Sequence, residues 1–258
     1  MSQSDTKVKV EKDGCLLWVT FNRPAVKNAV DFDVMHLLSA AADQAETDPE
    51  IKIFILKGQE GIFCSGGDLN QFHKLKTESE AMTMLRPMSG LLKKIASLPV
   101  ITVAYLNGHA VGGGCEIAAA CDYRISAEHS KSGFIQGTLA ITTGWGGAAF
   151  LREKVSYNTA LDMLTSAKLC TAEEGLKSGW INGILNNERE LSGWCGQWRA
   201  VKKQVITAYK QALRTEMEKT RLFTAIDSEV ERCAVLWGQD AHHEAVDLFL
   251  SKKHDRSN

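Results

Sequence analysis

The sequence predicts an α/β fold with mainly parallel strands, followed by a helical C-terminal region. Three observations support this prediction: short apolar runs alternate with helix-periodic segments, strand ends lead into glycine-rich turns, and strand signals stop near residue 190. At 258 residues the chain suits one large domain, or one domain with a helical appendage.

The N-terminal part begins with a predicted β-hairpin. Residues 8–10 and 16–21 are strand-like, and Asp13-Gly14 supplies a tight turn between them. Pro24 ends the second strand because proline has no N–H for the ladder. Apolar residues at helical spacing then predict a helix over residues 31–47.

Strands and helices alternate further along the chain. Residues 51–57, 100–106 and 123–126 predict buried strands, and a helix over residues 79–97 separates the first two. Residues 192–253 carry only helical patterns. Their predicted apolar stripe consists of Trp194, Trp198, Val205, Tyr209 and Leu213.

Composition excludes several classes of partner. The formal net charge is −1, so no global field favours nucleic acid or an anionic membrane. A polyanionic ligand must therefore be held by a few local Lys or Arg side chains. No apolar run approaches the length of a membrane-spanning helix, and the N-terminal residues lack the apolar core of a secretory signal. We expect a cytoplasmic protein with no nucleic-acid or membrane partner.

Cysteine and histidine usage predicts neither a disulfide framework nor a metal site. The seven cysteines are odd in number and form no CxxC pair, which is typical of reduced thiols in a cytosolic protein. His242 and His243 are adjacent, with no second cluster of ligand-type residues close in sequence.

Two glycine-rich turns carry the candidate chemistry, one over residues 63–69 and one over residues 108–116. Each follows an apolar strand and precedes a helical pattern. Glycine allows a ligand to approach the main chain closely, and a helix N-terminus offers unpaired N–H donors. Two such turns facing one another can direct two N–H groups at one oxygen, which is an oxyanion hole. The alternative is that these glycines only permit tight packing.

Other glycine motifs do not fit these turns. A dinucleotide-binding GxGxxG motif needs glycine where Ile117 stands, and the Gly-Lys-Ser/Thr of a phosphate-binding loop is absent. A nucleophile elbow around Ser65 needs glycine where Phe63 stands, which argues against a serine hydrolase.

Taken together, the motifs resemble the enoyl-CoA hydratase/isomerase (crotonase) superfamily over nearly the whole chain. The segments that carry the resemblance are residues 21–24, 28–29, 63–68, 107–116, 121–124, 144–147, 171–175 and 244–253. The resemblance implies a crotonase-like spiral of ββα units in a core over residues 1–190. It also implies a C-terminal helical trimerisation region over residues 191–258, and a homotrimer or a dimer of trimers.

The resemblance also assigns site residues. It implies that the N–H groups of Ser65 and Gly113 hold a thioester oxygen. The implied CoA-binding residues are Ala25, Val26, Lys27, Ser65, Gly66, Gly67 and Asp68. Lys252 or Lys253 is expected to reach the nucleotide phosphates, the alternative being a solvated tail. For Asp68 the alternative is a structural residue at a helix start.

The acid–base pattern departs from that of a hydratase of this family. Glu116 matches one of the two catalytic glutamates, but Gln136 stands where the second is expected. Glutamine can orient a water or a substrate group, yet it cannot exchange a proton at neutral pH. Trp145 is expected to line the acyl pocket, and some decarboxylase-type members of the family also have tryptophan in that loop.

Three functions are consistent with these motifs and with glutamine at position 136. A hydratase-like lyase of fatty acid metabolism that acts on an acyl-CoA through Glu116 ranks first. A methylmalonyl- or ethylmalonyl-type CoA decarboxylase ranks second, because loss of CO₂ generates the enolate without a base. A non-catalytic acyl-CoA-binding member of the family is the third. In each case the CoA thioester is the substrate or ligand, and no cofactor is expected.

Overall fold

The computed structural model describes the main chain of residues 6–255 and the side chains of residues 6–251. The strands in this part are β1 Val8–Asp13, β2 Leu16–Phe21, β3 Ile53–Gly58, β4 Ile62–Cys64, β5 Ile101–Leu106, β6 His109–Val111, β7 Tyr123–Ser126, β8 Lys131–Gly133, β9 Cys170–Thr171 and β10 Gly183–Ile184.

Helices separate and follow these strands. They are α1 Phe32–Thr47, α2 Leu69–Phe72, α3 Glu78–Ser97, α4 Gly113–Ala120, α5 Gly147–Arg152, α6 Tyr157–Ser166, α7 Ala172–Ser178, α8 Glu188–Cys195, α9 Lys203–Leu213, α10 Glu216–Trp237 and α11 Asp240–Asp255. Short 3₁₀ turns occur at Pro24–Val26, Gln136–Leu139 and Gly196–Trp198.

The strands form two sheets. The larger is six-stranded in the order β1-β2-β3-β5-β7-β10, and only its β1–β2 hairpin is antiparallel. The smaller is four-stranded in the order β4-β6-β8-β9, with β8 and β9 antiparallel. Such mainly parallel sheets need crossover connections, which the helices provide.

The chain alternates between the sheets. Of the pairs β3–β4, β5–β6 and β7–β8, the first strand lies in the larger sheet and the second in the smaller. A helix follows each pair, after a 3₁₀ turn in the last case. This repeat is the predicted ββα arrangement, so the predicted fold class is confirmed.

Most predicted elements are present with small shifts of their ends. The hairpin forms, Asp31 caps α1 by accepting from Val34 N, and the strand Tyr123–Ser126 has the predicted bounds. The second glycine turn differs, because His109–Val111 within it forms β6 by pairing with β4 and β8. The paired strands are more than 15 residues apart in sequence, so a local sequence pattern does not reveal the pairing.

As far as residue 255, the C-terminal region consists of helices α8 to α11 with the 3₁₀ turn Gly196–Trp198 between the first two. Trp194 and Trp198 of the predicted apolar stripe pack on Tyr123. Tyr209 and Leu213, further along the stripe, are 67% and 83% exposed. All the named strands precede residue 185, and residue 190 lies inside α8, so the division of the chain at that residue stays a prediction.

Helix α10 connects this region to the core. Its buried face carries Leu222, Ile226, Val230 and Cys233, which join the same apolar cluster as α3 and α4. Burial of such side chains contributes about 1.5–3 kcal/mol each. Helix α10 is therefore part of the wall around the site described next.

Candidate active site

The two glycine-rich turns, residues 63–69 and 108–116, are called the first and second glycine bends from here on. A cavity of about 750 Å³ lies between these bends, the loop that precedes α5, and helices α10 and α11. Its lining is mostly apolar with a few polar groups, which is typical of a small-molecule site. The cavity brings together the predicted site residues Ala25, Val26, Lys27, Ser65, Gly66, Gly67, Asp68, Gly113, Glu116, Gln136 and Trp145.

The first glycine bend connects β4 to α2. Its first amide, Ser65 N–H, donates to the carbonyl oxygen of Lys27 at 3.1 Å. A main-chain donor that is already paired is not free to bind a ligand oxygen. The prediction that Ser65 supplies an oxyanion amide is therefore wrong, because the carbonyl group of Lys27, directly after the 3₁₀ turn Pro24–Val26, accepts this hydrogen bond.

Gly67 supplies an amide of this bend that has no acceptor among the described residues. On one side of the segment, Gly66 O accepts from Val30 N and Asp68 N donates to Val30 O, each at 2.8 Å. Because the amides of successive extended residues point in opposite directions, Gly67 N–H faces away from Val30. It donates no hydrogen bond to the part of the chain that the structure describes.

The second bend leads into α4. Gly112 has a φ of +56° and donates its N–H to Gly133 O at 2.9 Å. Gly113 N–H is in the first turn of the helix and has no acceptor among the described residues. A Cβ on Gly66 would lie 3.0 Å from the Gly113 nitrogen, so the two bends are in contact. Within the described part of the chain, Gly67 and Gly113 thus offer two N–H groups without acceptors beside one cavity.

Trp145 forms a wall next to these two amides. A Cβ on Gly113 would lie 2.2 Å from its Cζ3, and a Cβ on Gly67 would lie 3.5 Å from its Cζ2. Its indole N–H donates to the Met84 sulfur at 3.2 Å, and the ring is buried. Only glycine fits at position 113 with the ring in this place.

Glu116 is the buried carboxyl group of the site. Its Oε2 accepts from Trp145 N at 2.8 Å and Gly147 N at 2.9 Å, and its Oε1 accepts from Gln136 Nε2 at 2.8 Å. Burial raises the pKa of Glu116 to about 8, and the nearby Glu229 adds to the rise, although its three hydrogen bonds act in the opposite direction. The group is therefore poised to hold a proton at neutral pH.

Gln136 sits at the start of the 3₁₀ turn Gln136–Leu139 and is 9% exposed. Its amide nitrogen binds Glu116, but its carbonyl oxygen has no partner in the part of the chain described here. A buried polar atom without a partner is costly, so this oxygen is a candidate contact for a ligand or a bound water.

Glu229 of α10 is a functional candidate that the sequence analysis missed. Its carboxylate accepts from Ala148 N at 3.1 Å and Ala149 N at 2.9 Å. Burial raises the pKa of Glu229 as well. The sequence pattern could have identified it, because Glu229 falls three residues after Ile226 and next to Val230. An acidic residue therefore lies on the apolar stripe of α10.

The expected CoA-binding segment lies at the edge of the cavity. Lys27 has a φ of +54°, is exposed, and forms no ion pair with the residues that the structure describes. Asp68 caps α2 through Asn70 N at 3.0 Å and pairs with Arg23 at 2.8 Å. Its carboxylate is thus engaged within the protein, as expected for a residue at a helix start.

Three further expectations concern the C-terminal lysines, metal binding and membrane-spanning helices. Lys252 and Lys253 lie in α11, and their side chains are outside the described residues. Between residues 6 and 251, no group of three or more His, Cys, Asp or Glu side chains is arranged to hold a metal ion. No helix in the described range is long and apolar enough to cross a membrane.

Fold and sequence together define the class of protein. The chain belongs to the enoyl-CoA hydratase/isomerase family, whose model matches residues 11–256. The structure is similar to that of an enoyl-CoA hydratase from Bacillus halodurans, with a TM-score of 0.86 and 25% identity. That likeness covers 94% of this chain and 100% of the other.

Two curated relatives carry more specific names. The chain is 31% identical over 234 residues to the ethylmalonyl-CoA decarboxylase of Bos taurus, which covers 88% of this chain and 76% of the relative. It is 32% identical over 181 residues to the mitochondrial methylglutaconyl-CoA hydratase of Mus musculus, which covers 70% of this chain and 57% of the relative.

Proposed function

We propose that this protein removes CO₂ from a malonyl-type acyl-CoA that carries a short alkyl branch, such as ethylmalonyl-CoA. The observation that carries the proposal is the buried carboxyl group of Glu116. It lies beside the amides of Gly67 and Gly113, which have no acceptor among the described residues, and it is hydrogen-bonded to the amide side chain of Gln136. One acid and an oxyanion hole are sufficient for decarboxylation, whereas hydration also requires activation of a water.

The proposed reaction has two steps. The bond between the α-carbon and its carboxylate breaks, CO₂ leaves, and the electron pair forms an enolate on the thioester oxygen. The N–H groups of Gly67 and Gly113 are proposed to bind that oxygen, replacing the Ser65–Gly113 pair expected from the sequence. Each such donor contributes about 10²–10³ in rate in comparable sites.

In the second step Glu116 is proposed to protonate the α-carbon. Its Oε2 already accepts two main-chain N–H groups, so the proton belongs on Oε1, beside Gln136. Transfer of that proton to the α-carbon gives the shortened acyl-CoA and leaves a carboxylate, which a proton from water restores. Because the pKa of Glu116 is about 8, the acid form is present at neutral pH.

This proposal reverses the order expected from the sequence, in which hydration ranked first. The relationship to the ethylmalonyl-CoA decarboxylase of Bos taurus covers most of this chain and supports the change. Hydration remains the second candidate for a specific reason: the unpaired carbonyl oxygen of Gln136 can accept a hydrogen bond from a water or a substrate hydroxyl. The methylglutaconyl-CoA hydratase relative supports that candidate.

The test is to incubate the purified protein separately with ethylmalonyl-CoA, methylmalonyl-CoA, crotonyl-CoA and 3-methylglutaconyl-CoA, and to follow the CoA esters by mass spectrometry. We expect loss of CO₂ from ethylmalonyl-CoA, giving butyryl-CoA. Addition of water to either enoyl ester, with both malonyl esters intact, would establish the hydratase instead. Binding of the esters without any turnover would indicate the non-catalytic family member.

The ligand and assembly expectations are retained as proposals. The segment around Lys27, which is exposed at the edge of the cavity, is proposed to bind CoA, and Lys252 or Lys253 is proposed to contact the nucleotide phosphates. A homotrimer or dimer of trimers is supported by exposed apolar side chains on α9 and α10: Val205, Tyr209, Leu213 and Met217. Light scattering coupled to size-exclusion chromatography measures the assembly directly.

A further inference from the structure

The end of the loop that leads into α5 and the first turn of that helix are held from two sides by buried carboxyl groups. From α4, Glu116 accepts from the amides of Trp145 and Gly147 at 2.8 and 2.9 Å. From α10, Glu229 accepts from the amides of Ala148 and Ala149 at 3.1 and 2.9 Å. Four amides within five consecutive residues therefore bind two carboxyl groups that come from helices distant in sequence.

Among the described residues, no Lys, Arg or His side chain forms an ion pair with either carboxyl group. Glu116 and Glu229 are 3% and 7% exposed. The titratable groups that face them are the thiols of Cys233 on α10 and Cys115 on α4, and Gln136 adds a neutral amide. Two like charges in this setting repel each other strongly, because little water screens them.

The backbone links the two groups directly. Gly147 N–H binds Glu116 and the next N–H, that of Ala148, binds Glu229. A Cβ on Gly147 would lie 2.5 Å from Glu116 Cγ, so the loop and this carboxyl group are packed without slack. A shift of the first turn of α5 at Ala148 and Ala149 would therefore move Glu116 relative to the cavity.

We propose that Glu229 is a positioning residue for Glu116: it fixes the first turn of α5, whose Gly147 amide binds the Glu116 carboxyl group, and its nearby carboxylate disfavours a second negative charge on that group. The inference rests on the proposed function only in naming Glu116 as the proton donor. It adds a residue from the C-terminal helices to the machinery of a site whose other groups come from the α/β core.

The direction of the effect follows from charge. Removing the Glu229 charge makes ionisation of Glu116 easier, so the pKa of Glu116 falls. A proton donor is active only in its acid form, so the fall of kcat/KM at high pH should begin at lower pH in the variant. We expect this limb of the profile to move down by about one pH unit, since one like-charged neighbour typically has an effect of that order.

The experiment compares the wild type with Glu229→Gln and Glu229→Asp. Glu231→Gln is the matched control, because Glu231 is exposed on the same helix and its replacement removes the same charge. Each protein is titrated by infrared spectroscopy, following the C=O band of the protonated carboxyl group that disappears in Glu116→Gln. This readout needs no turnover, so it is independent of which reaction the enzyme catalyses. The kcat/KM profile for ethylmalonyl-CoA is then measured against pH.

For Glu229→Gln we expect the infrared titration and the high-pH limb to move down together, while Glu231→Gln leaves both in place. Glu229→Asp keeps the charge but has a shorter reach, so we expect an unmoved titration with a reduced kcat and a nearly unchanged KM. An unmoved titration in a folded Glu229→Gln protein overturns the proposal. Should that variant not fold, a wild-type kcat in Glu229→Asp overturns it.

Discussion

The side-chain amide of Gln136 donates to Glu116 Oε1 at 2.8 Å, while its own carbonyl oxygen stays without a partner in the described part of the chain. The nitrogen of this amide therefore binds Glu116, and its oxygen remains available as a hydrogen-bond acceptor beside the cavity. This arrangement separates the two candidate reactions, because only a second carboxyl group at this position would exchange protons with a water.

Replacement of Gln136 by glutamate tests that separation. Gln136→Glu places a second carboxyl group against Glu116, and the two then share a proton, as close carboxyl pairs do. We expect decarboxylation of ethylmalonyl-CoA to fall by about 10–100-fold and slow hydration of crotonyl-CoA to appear. Gln136→Met is the control of similar length, with no acid and no hydrogen bond. Hydration already present in the wild type at a comparable rate would contradict the prediction.

Glu116→Gln tests the proton donor. Glutamine can still accept the main-chain hydrogen bonds but has no proton to give, so we expect kcat to fall by about 10²–10⁴. The affinity for a non-reactive acyl-CoA such as butyryl-CoA should change little. In D₂O the wild type should deuterate the α-carbon on one face, and the residual product of the variant should carry no such preference. Unchanged turnover would exclude Glu116 as the donor.

The free energy of unfolding should depend on pH through Glu116. Its folded pKa of about 8 lies above the ordinary value of 4.5 for this carboxyl group, so between these values the folded state binds more protons than the unfolded state. Stability from this group is thus complete below about pH 4.5 and is lost as pH rises through about 8. We expect the wild type to lose a few kcal/mol relative to Glu116→Gln between pH 5 and 8, measured by urea unfolding. Parallel pH curves for the two proteins would contradict this.

Gly113→Ala tests the fit between the second bend and the tryptophan ring. The new Cβ would lie 2.2 Å from Trp145 Cζ3, so the ring or the bend must move, and we expect kcat/KM to fall by about 10²–10³. Adding Trp145→Ala removes the clash and should restore part of the rate, which a double-mutant cycle measures. Trp145→Ala alone is the reference. An additive loss in the double variant would show that the ring is not the cause.

Asp68→Asn distinguishes a helix-start residue from a ligand contact. Asparagine can still cap α2, but it leaves the partly buried Arg23 guanidinium without one of its carboxylate partners. We expect a lower Tm, corresponding to a loss of about 1–3 kcal/mol, and CoA affinity within about twofold of the wild type. Lys27→Ala should do the opposite, with weaker binding and unchanged Tm. A large loss of affinity in Asp68→Asn would restore its carboxylate as a CoA contact.

The sequence predicts the place of the site better than the atoms that serve it. Both glycine bends, Glu116 and Gln136 follow from local motifs, and they line one cavity. The choice between Ser65 and Gly67 does not, because it depends on the pairing of this segment with Val30 and on the carbonyl of Lys27, both distant in sequence. Glu229 was recognisable as an acid on an apolar stripe, but a periodic pattern does not reveal its partners in the first turn of α5.

The hydrogen bonds from Ala148 and Ala149 to Glu229 join parts of the chain about 80 residues apart. During synthesis on the ribosome, the α/β core can acquire both glycine bends and Glu116 before α10 has emerged. At that point Ala148 and Ala149 still lack the carboxyl group of Glu229. Contacts between residues so far apart in sequence form slowly. A nascent chain would thus acquire its glycine bends well before it gains a competent proton donor.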